Sequence, residues 1–193
     1  MNIHSLHHYL TNLSESEEHY RSGHPFSVWN QLPKVQIHGR EMYRMFPDNL
    51  IFSSMHGENP VSGQNFDIPV GLQDISIKRN SRFNPVPEHV HSHIEINYVY
   101  SGTCPQYIDG KPVFLKKDQV LLIDTDCPHS IDALGENDIM ISMLIRKEFL
   151  RDRMFSQFSK DSVLSRFFVN ALTEQTDHDH YLLFHSEKDR RIP

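Results

Sequence analysis

The chain has 193 residues, 38% of them hydrophobic and 10% aromatic, with 25 acidic against 19 basic side chains and a net charge of -6. That length suits one mid-sized domain with additions, and the acidic balance argues against this segment gripping nucleic acid itself, which takes a basic face. Cys104 and Cys127 are too few for a disulfide framework. No run approaches the ~18 apolar residues of a membrane span, and the first residues lack the basic start and apolar run of a secretory leader; the expected location is the reducing cytoplasm.

Residues 5–20 read as helix, because Leu6, Tyr9, Leu10 and Leu13 recur on one face, with Ser14 and Glu17 in capping-box spacing where a second helix can begin. Five prolines (Pro25, Pro33, Pro47, Pro60, Pro69) and polar turn clusters break up residues 21–70, where a short helix is expected near Arg40–Met45 and a loop over 56–67. From about residue 72 the texture changes. Ile75 and Ile77 alternate with polar neighbours. Ile94–Tyr100 is β-branched and aromatic. Two strand-like runs, 104–108 and 111–116, flank Asp109-Gly110, a strong hairpin signal. Val120–Ile123 and Ile139–Ile145 are further short apolar runs. Short strands at this spacing suggest an antiparallel sandwich or barrel. Helical periodicity returns at 149–158 and at 163–172, faces expected to cover the barrel rather than to form a dimer interface, and Tyr181–Phe184 reads as a last strand.

Fourteen histidines are present. His4, His7, His8, His19 and His24 read as surface residues. The string EHVHSHIEINYVYSG (residues 88–102) is different. On one regular strand His89, His91, His93 and Glu95 would all project to one side. Imidazole and carboxylate groups converging in this way suit a first-row divalent metal, with zinc, nickel, manganese and iron all acceptable. His129, in DTDCPHS, is the candidate fourth ligand. A metal-free polar pocket is the other reading of the cluster. The cysteines are expected to serve as small packing residues.

The pattern His89-x-His91, Glu95 four residues on and Gly102 after a six-residue gap, followed by His129, resembles the two motifs of the cupin family, whose jelly-roll barrel collects such ligands around one metal. Phe83, Asp118, Asp124, Asp126 and Ala133 depart from it, standing where the family typically has Gly, Gly, Pro, Gly and Asn. The longer run from His89 to Ile131, with ALGENDIMISMLIRKEFL and YLLFHSE beyond it, is similar to the N-terminal sensors of AraC-type transcription regulators over roughly residues 72–187. The resemblance implies a mainly β fold, a cupin-like double-stranded β-helix (jelly roll) with flanking helices at the N-terminus and after the barrel. It divides the chain into an N-terminal segment (1–70), the barrel core (71–146) and a helical extension (147–193). It further implies metal ligands at His89, His91, Glu95 and His129, pocket residues at His93, Asn97 and Tyr107, and a small-molecule effector, commonly a carbohydrate in this family. In that family a pair of helix-turn-helix motifs follows and carries DNA binding. The tail after residue 187 has no room for it, so the chain is expected to end before that half; no catalysis and no membrane contact are expected, and a homodimer is an open expectation. The alternative is a stand-alone metal-dependent cupin enzyme of isomerase or dioxygenase type.

Overall fold

A computed structural model describes residues 3–25, 28–45, 74–154, 162–173 and 179–184. The expected loop at 56–67 and the expected helix beyond residue 154 lie outside these residues. Helix α1 (Ile3–Thr11) and helix α2 (Glu15–Arg21) lead in, followed by a 3-10 turn, Val28–Gln31. Strands follow as β1 (Lys34–Ile37), β2 (Arg40–Arg44), β3 (Ile75–Arg79), β4 (Val86–Val90), β5 (His93–Ser101), β6 (Thr103–Ile108), β7 (Lys111–Lys116), β8 (Val120–Ile123), β9 (His129–Ile131) and β10 (Ile139–Arg146). A helical turn, Lys147–Phe149, runs on with wider π-type winding over Leu150–Met154, and helix α3 (Val163–Thr173) and strand β11 (Tyr181–Phe184) complete the described chain. Among the described residues no helix is long and apolar enough to cross a membrane.

The lead-in divides where the capping box sits. Ser14 Oγ accepts from Glu17 N at 3.2 Å while Glu17 Oε2 accepts from Ser14 N at 2.8 Å, so α2 starts afresh. Residues Arg40–Arg44 are a strand, not the expected helix. Their residue types tolerate helix, but pairing with β1 on one side and β4 on the other supplies all the backbone partners, and tertiary pairing overrides so weak a preference.

Two sheets face one another. One has the order β1-β2-β4-β9-β6-β7, the other β11-β8-β5-β10-β3; every pairing is antiparallel except β2 with β4. The β6–β7 hairpin turns at Asp109-Gly110 with φ 48° and 75°, positive at both central residues as the tightest hairpins require. Between the sheets lies a core built on Val99, Ile108, Leu115, Leu121, Ile123 and Met140, in which Cys104 and Cys127 are buried as free thiols. Burial pushes both thiols up to about 12, which suits packing residues. On the outer face of the five-stranded sheet Phe167, Phe168 and Ala171 of α3 pack over Ile94, Leu122 and Ile145. Strands β5, β8 and β10 are thus covered on both faces, which is why their sequences run apolar without clean alternation.

Candidate metal centre

The chain does not carry its histidines on one strand. Strand β4 ends at Val90 and β5 begins at His93 in the other sheet. The expectation of four side chains aligned by simple alternation is therefore corrected: the chain crosses between the sheets at His91-Ser92, and the groups meet across the interior. His89 (β4) lies directly opposite His129 (β9) in register, with ring centroids 4.2 Å apart. Glu95 faces them from β5, and His91 comes from the crossing, where its carbonyl accepts from Asp126 N at 2.8 Å. One ligand atom from each of His89, His91, Glu95 and His129 lies within 4.8 Å of the others, and all four residues are buried.

Each imidazole is oriented by the backbone. Nδ1 of His89 donates to the Pro87 carbonyl at 2.9 Å, that of His91 to the His93 carbonyl at 3.0 Å and that of His129 to the Cys127 carbonyl at 2.9 Å. A carbonyl only accepts, so the proton sits on Nδ1 and the neutral ring presents a lone pair at Nε2. This is the outer support usual for metal-binding histidines. Nε2 of His91 and of His129 lie 2.9 and 3.2 Å from Glu95 Oε2. Burial lowers His89 well below the usual histidine range and lowers His91 too, favouring neutral rings. Burial alone would raise Glu95, but contact with His129 and His91 outweighs it and holds the carboxyl well below its ordinary range. At these distances either a proton or a metal ion lies between each Nε2 and the carboxylate oxygen. Three imidazoles and one carboxylate are a suitable donor set for a divalent first-row ion, and the cluster is compatible with a metal site.

The motif's glycine positions are instructive. Phe83, Asp118 and Asp126 have φ of 63°, 64° and 56°, the left-handed backbone that glycine adopts without strain. The side chains have changed but the turns have not. Gly102, at φ 72°, remains: a Cβ there would fall 2.0 Å from Asp138 Oδ1 and 2.9 Å from its Cα. Asp138 needs that space because its carboxylate accepts from Thr103 N and Gly135 N, each at 2.8 Å.

Of the remaining expected residues, His93 stands apart from the four, lining a neighbouring cleft of about 460 Å³ with Ser92, Thr125, Arg146 and Lys147 among others. Asn97 points inward from β5, where its Oδ1 accepts from Ser142 Oγ at 2.5 Å, and Ser142 Oγ accepts in turn from Asn80 Nδ2 at 2.5 Å. Gln106 completes this buried polar set, its Oε1 accepting from Asn97 Nδ2 at 3.4 Å. Tyr107 is not brought to the interior. It is 39% exposed, because on β6 Cys104, Gln106 and Ile108 take the inward positions. Sequence reading missed Trp29, whose ring lies 5.7 Å from that of His89, and the Asn80–Ser142–Gln106 set, which no periodicity marks.

Two facing sheets thus bring three histidines and a glutamate together in the interior, a donor set compatible with a metal site. The fold is that of a cupin: residues 82–145 match the family model described as "Cupin domain". No curated protein matches the chain. Among solved structures, a cupin 2 conserved barrel domain protein from Leptotrichia buccalis is 24% identical over 43% of this chain and 39% of its own, with a TM-score of 0.36. KdgF from Halomonas sp. is 16% identical over 45% of this chain and 89% of its own, at 0.36. ToxT from Vibrio cholerae, solved with an unsaturated fatty acid, is 12% identical over 57% of this chain and 40% of its own, at 0.40.

Proposed function

We propose that this chain is the effector-binding domain of an AraC-type transcription regulator, a sensor without catalytic turnover, in which a divalent ion on His89, His91, Glu95 and His129 forms part of the platform that meets the effector. The observation that supports this most directly is that the stretch with the AraC-sensor resemblance, His89 to Ile131, contributes every one of the four converging residues. The ion would supply a Lewis-acidic centre for an oxygen-bearing ligand. His89, His91 and His129 would hold it through Nε2, and their Nδ1 bonds to the backbone keep the rings aimed. A regulator then needs only that the effector bind one arrangement of sensor and DNA-binding half more tightly than another. DNA contact would belong to the helix-turn-helix half that the AraC resemblance implies for the whole regulator, and self-association to the assembled regulator.

The test is the reading frame beyond the codon for Pro193, followed by a reporter assay of the whole gene. A frame that continues into two helix-turn-helix patterns, with a reporter that responds to effector and loses that response in His91→Ala, supports the proposal. An immediate stop codon overturns it. The metal-dependent enzyme then leads, since three histidines and one glutamate leave coordination positions open on a six-coordinate ion.

A further inference from the structure

Trp29 is the chain's only tryptophan. It sits on the 3-10 turn before β1, with its ring 5.7 Å from that of His89 and 5.8 Å from that of Tyr43. Tyr43 is the register partner of His89 across the parallel β2–β4 pairing, so the indole rests on the segment that presents this ligand. Its Nε1 is shut away from solvent and has no hydrogen-bond acceptor among the described residues. The indole N–H can only donate, and a buried donor without a partner is costly enough that it calls for an explanation. Around the centre the three ligand imidazoles each reach a carbonyl, and Asn80, Ser142, Asn97 and Gln106 bond to one another. An orphaned donor beside the centre therefore points to an acceptor arriving from outside the chain.

The charge at the centre restricts what that acceptor is. A divalent ion held by three neutral imidazoles and one carboxylate keeps an uncancelled positive charge in a buried place, where unbalanced charge is expensive. An anionic oxygen relieves it and can accept the indole N–H at the same time. We infer that Trp29 is a ligand-recognising residue whose Nε1–H donates to a carboxylate oxygen of a small organic acid bound at the metal centre. The inference rests on the metal-centre reading above. It assigns the effector to carboxylates rather than neutral sugars, and it makes the only indole of the chain an optical reporter of occupancy.

The experiment uses the 193-residue chain loaded with Co²⁺, and acetate as probe. Wild type and Trp29→Phe should take up Co²⁺ alike by its visible absorption. Acetate should perturb those bands in both, with affinity ~10-fold or more weaker in Trp29→Phe, the usual scale for losing a hydrogen bond to a charged group. In the Zn²⁺-loaded wild type, acetate should also shift the tryptophan emission, a reading that stands even where Trp29→Phe does not fold. Equal acetate affinities, or an emission indifferent to acetate, overturn the role of Trp29 and leave the metal centre standing. Absence of Co²⁺ bands in wild type overturns both.

Discussion

At the scale of single residues, backbone conformation and ligand chemistry make separate demands. Gly102 is held at φ 72° with the Asp138 carboxylate against its Cα. Gly102→Ala combines left-handed strain of about 1–2 kcal/mol with a collision that displaces Asp138 from two backbone N–H groups. The expected loss is about 2 kcal/mol or more, read as a fall in Tm of about 4–8 °C. Asp118 makes the opposite point. At φ 64° glycine loses little there, so Asp118→Gly should stay within about 1 kcal/mol of wild type, while Asp118→Val, β-branched in the same turn, should be clearly worse in the same melt. A result in which glycine and valine behaved alike would sink the claim that the motif's turns survive without their glycines. The four converging residues were legible in the sequence because imidazole and carboxylate at fixed spacing narrow the chemistry so far. How they converge was not legible, since nothing in HVHSH announces that the chain leaves one sheet and enters the other. Trp29 could not be found by pattern; its only signal is being unique.

At the scale of elements, the lead-in is fastened by one carboxylate. Glu17, fully buried, accepts from Ser14 N, Arg79 Nη2, Arg82 N and Arg82 Nε at 2.8–3.0 Å. The same arginines close the end of α1: Arg79 Nη1 donates to the Leu10 and Asn12 carbonyls at 2.8 and 2.7 Å, and Arg82 Nη2 to the Asn12 carbonyl at 2.8 Å. Burial alone would raise Glu17, yet hydrogen bonds from Arg82 and the backbone outweigh it and lower the carboxyl below its ordinary 4.5. A group depressed in the folded state stabilises fully above its unfolded value and less as pH falls through the folded one. Glu17→Gln should therefore cost about 3 kcal/mol or more at pH 7, the scale of breaking a buried pair. The gap to wild type should narrow steadily below pH 4.5 in urea titrations. A gap independent of pH would mean that packing, not charge, holds the lead-in. SxxE was readable as a capping box, but the second use of its glutamate was not, because Arg79 and Arg82 lie more than sixty residues away. The misread at Arg40–Met45 has the same origin: partners remote in sequence decide the strand.

At the scale of the whole molecule, the candidate centre belongs to neither sheet. His89 and His129 come from one, Glu95 from the other, with His91 on the link. A bound ion should stabilise the barrel as any ligand of the native state does, by about 2.7 kcal/mol at a free concentration 100 times its Kd. Zn²⁺ or Ni²⁺ should thus raise the wild-type Tm, and Glu95→Gln should abolish most of that rise, with metal content by elemental analysis as the check. An equal rise in Glu95→Gln would place the ion elsewhere. The paired sheets themselves were legible from strand length, spacing and the Asp109-Gly110 turn, whereas the contribution of β1 and β2 was hidden by prolines and by residues that suit helix as well as strand.

The meeting of Glu95 and His129 across the two sheets has a further consequence. An ion joining Glu95 to His129 would close a ring through 34 residues of chain, acting as a removable cross-link. Amide protons along β9 would then exchange with solvent only as fast as the ring opens, so the protection of Ser130 and Ile131 in deuterated buffer would follow the off-rate of the ion.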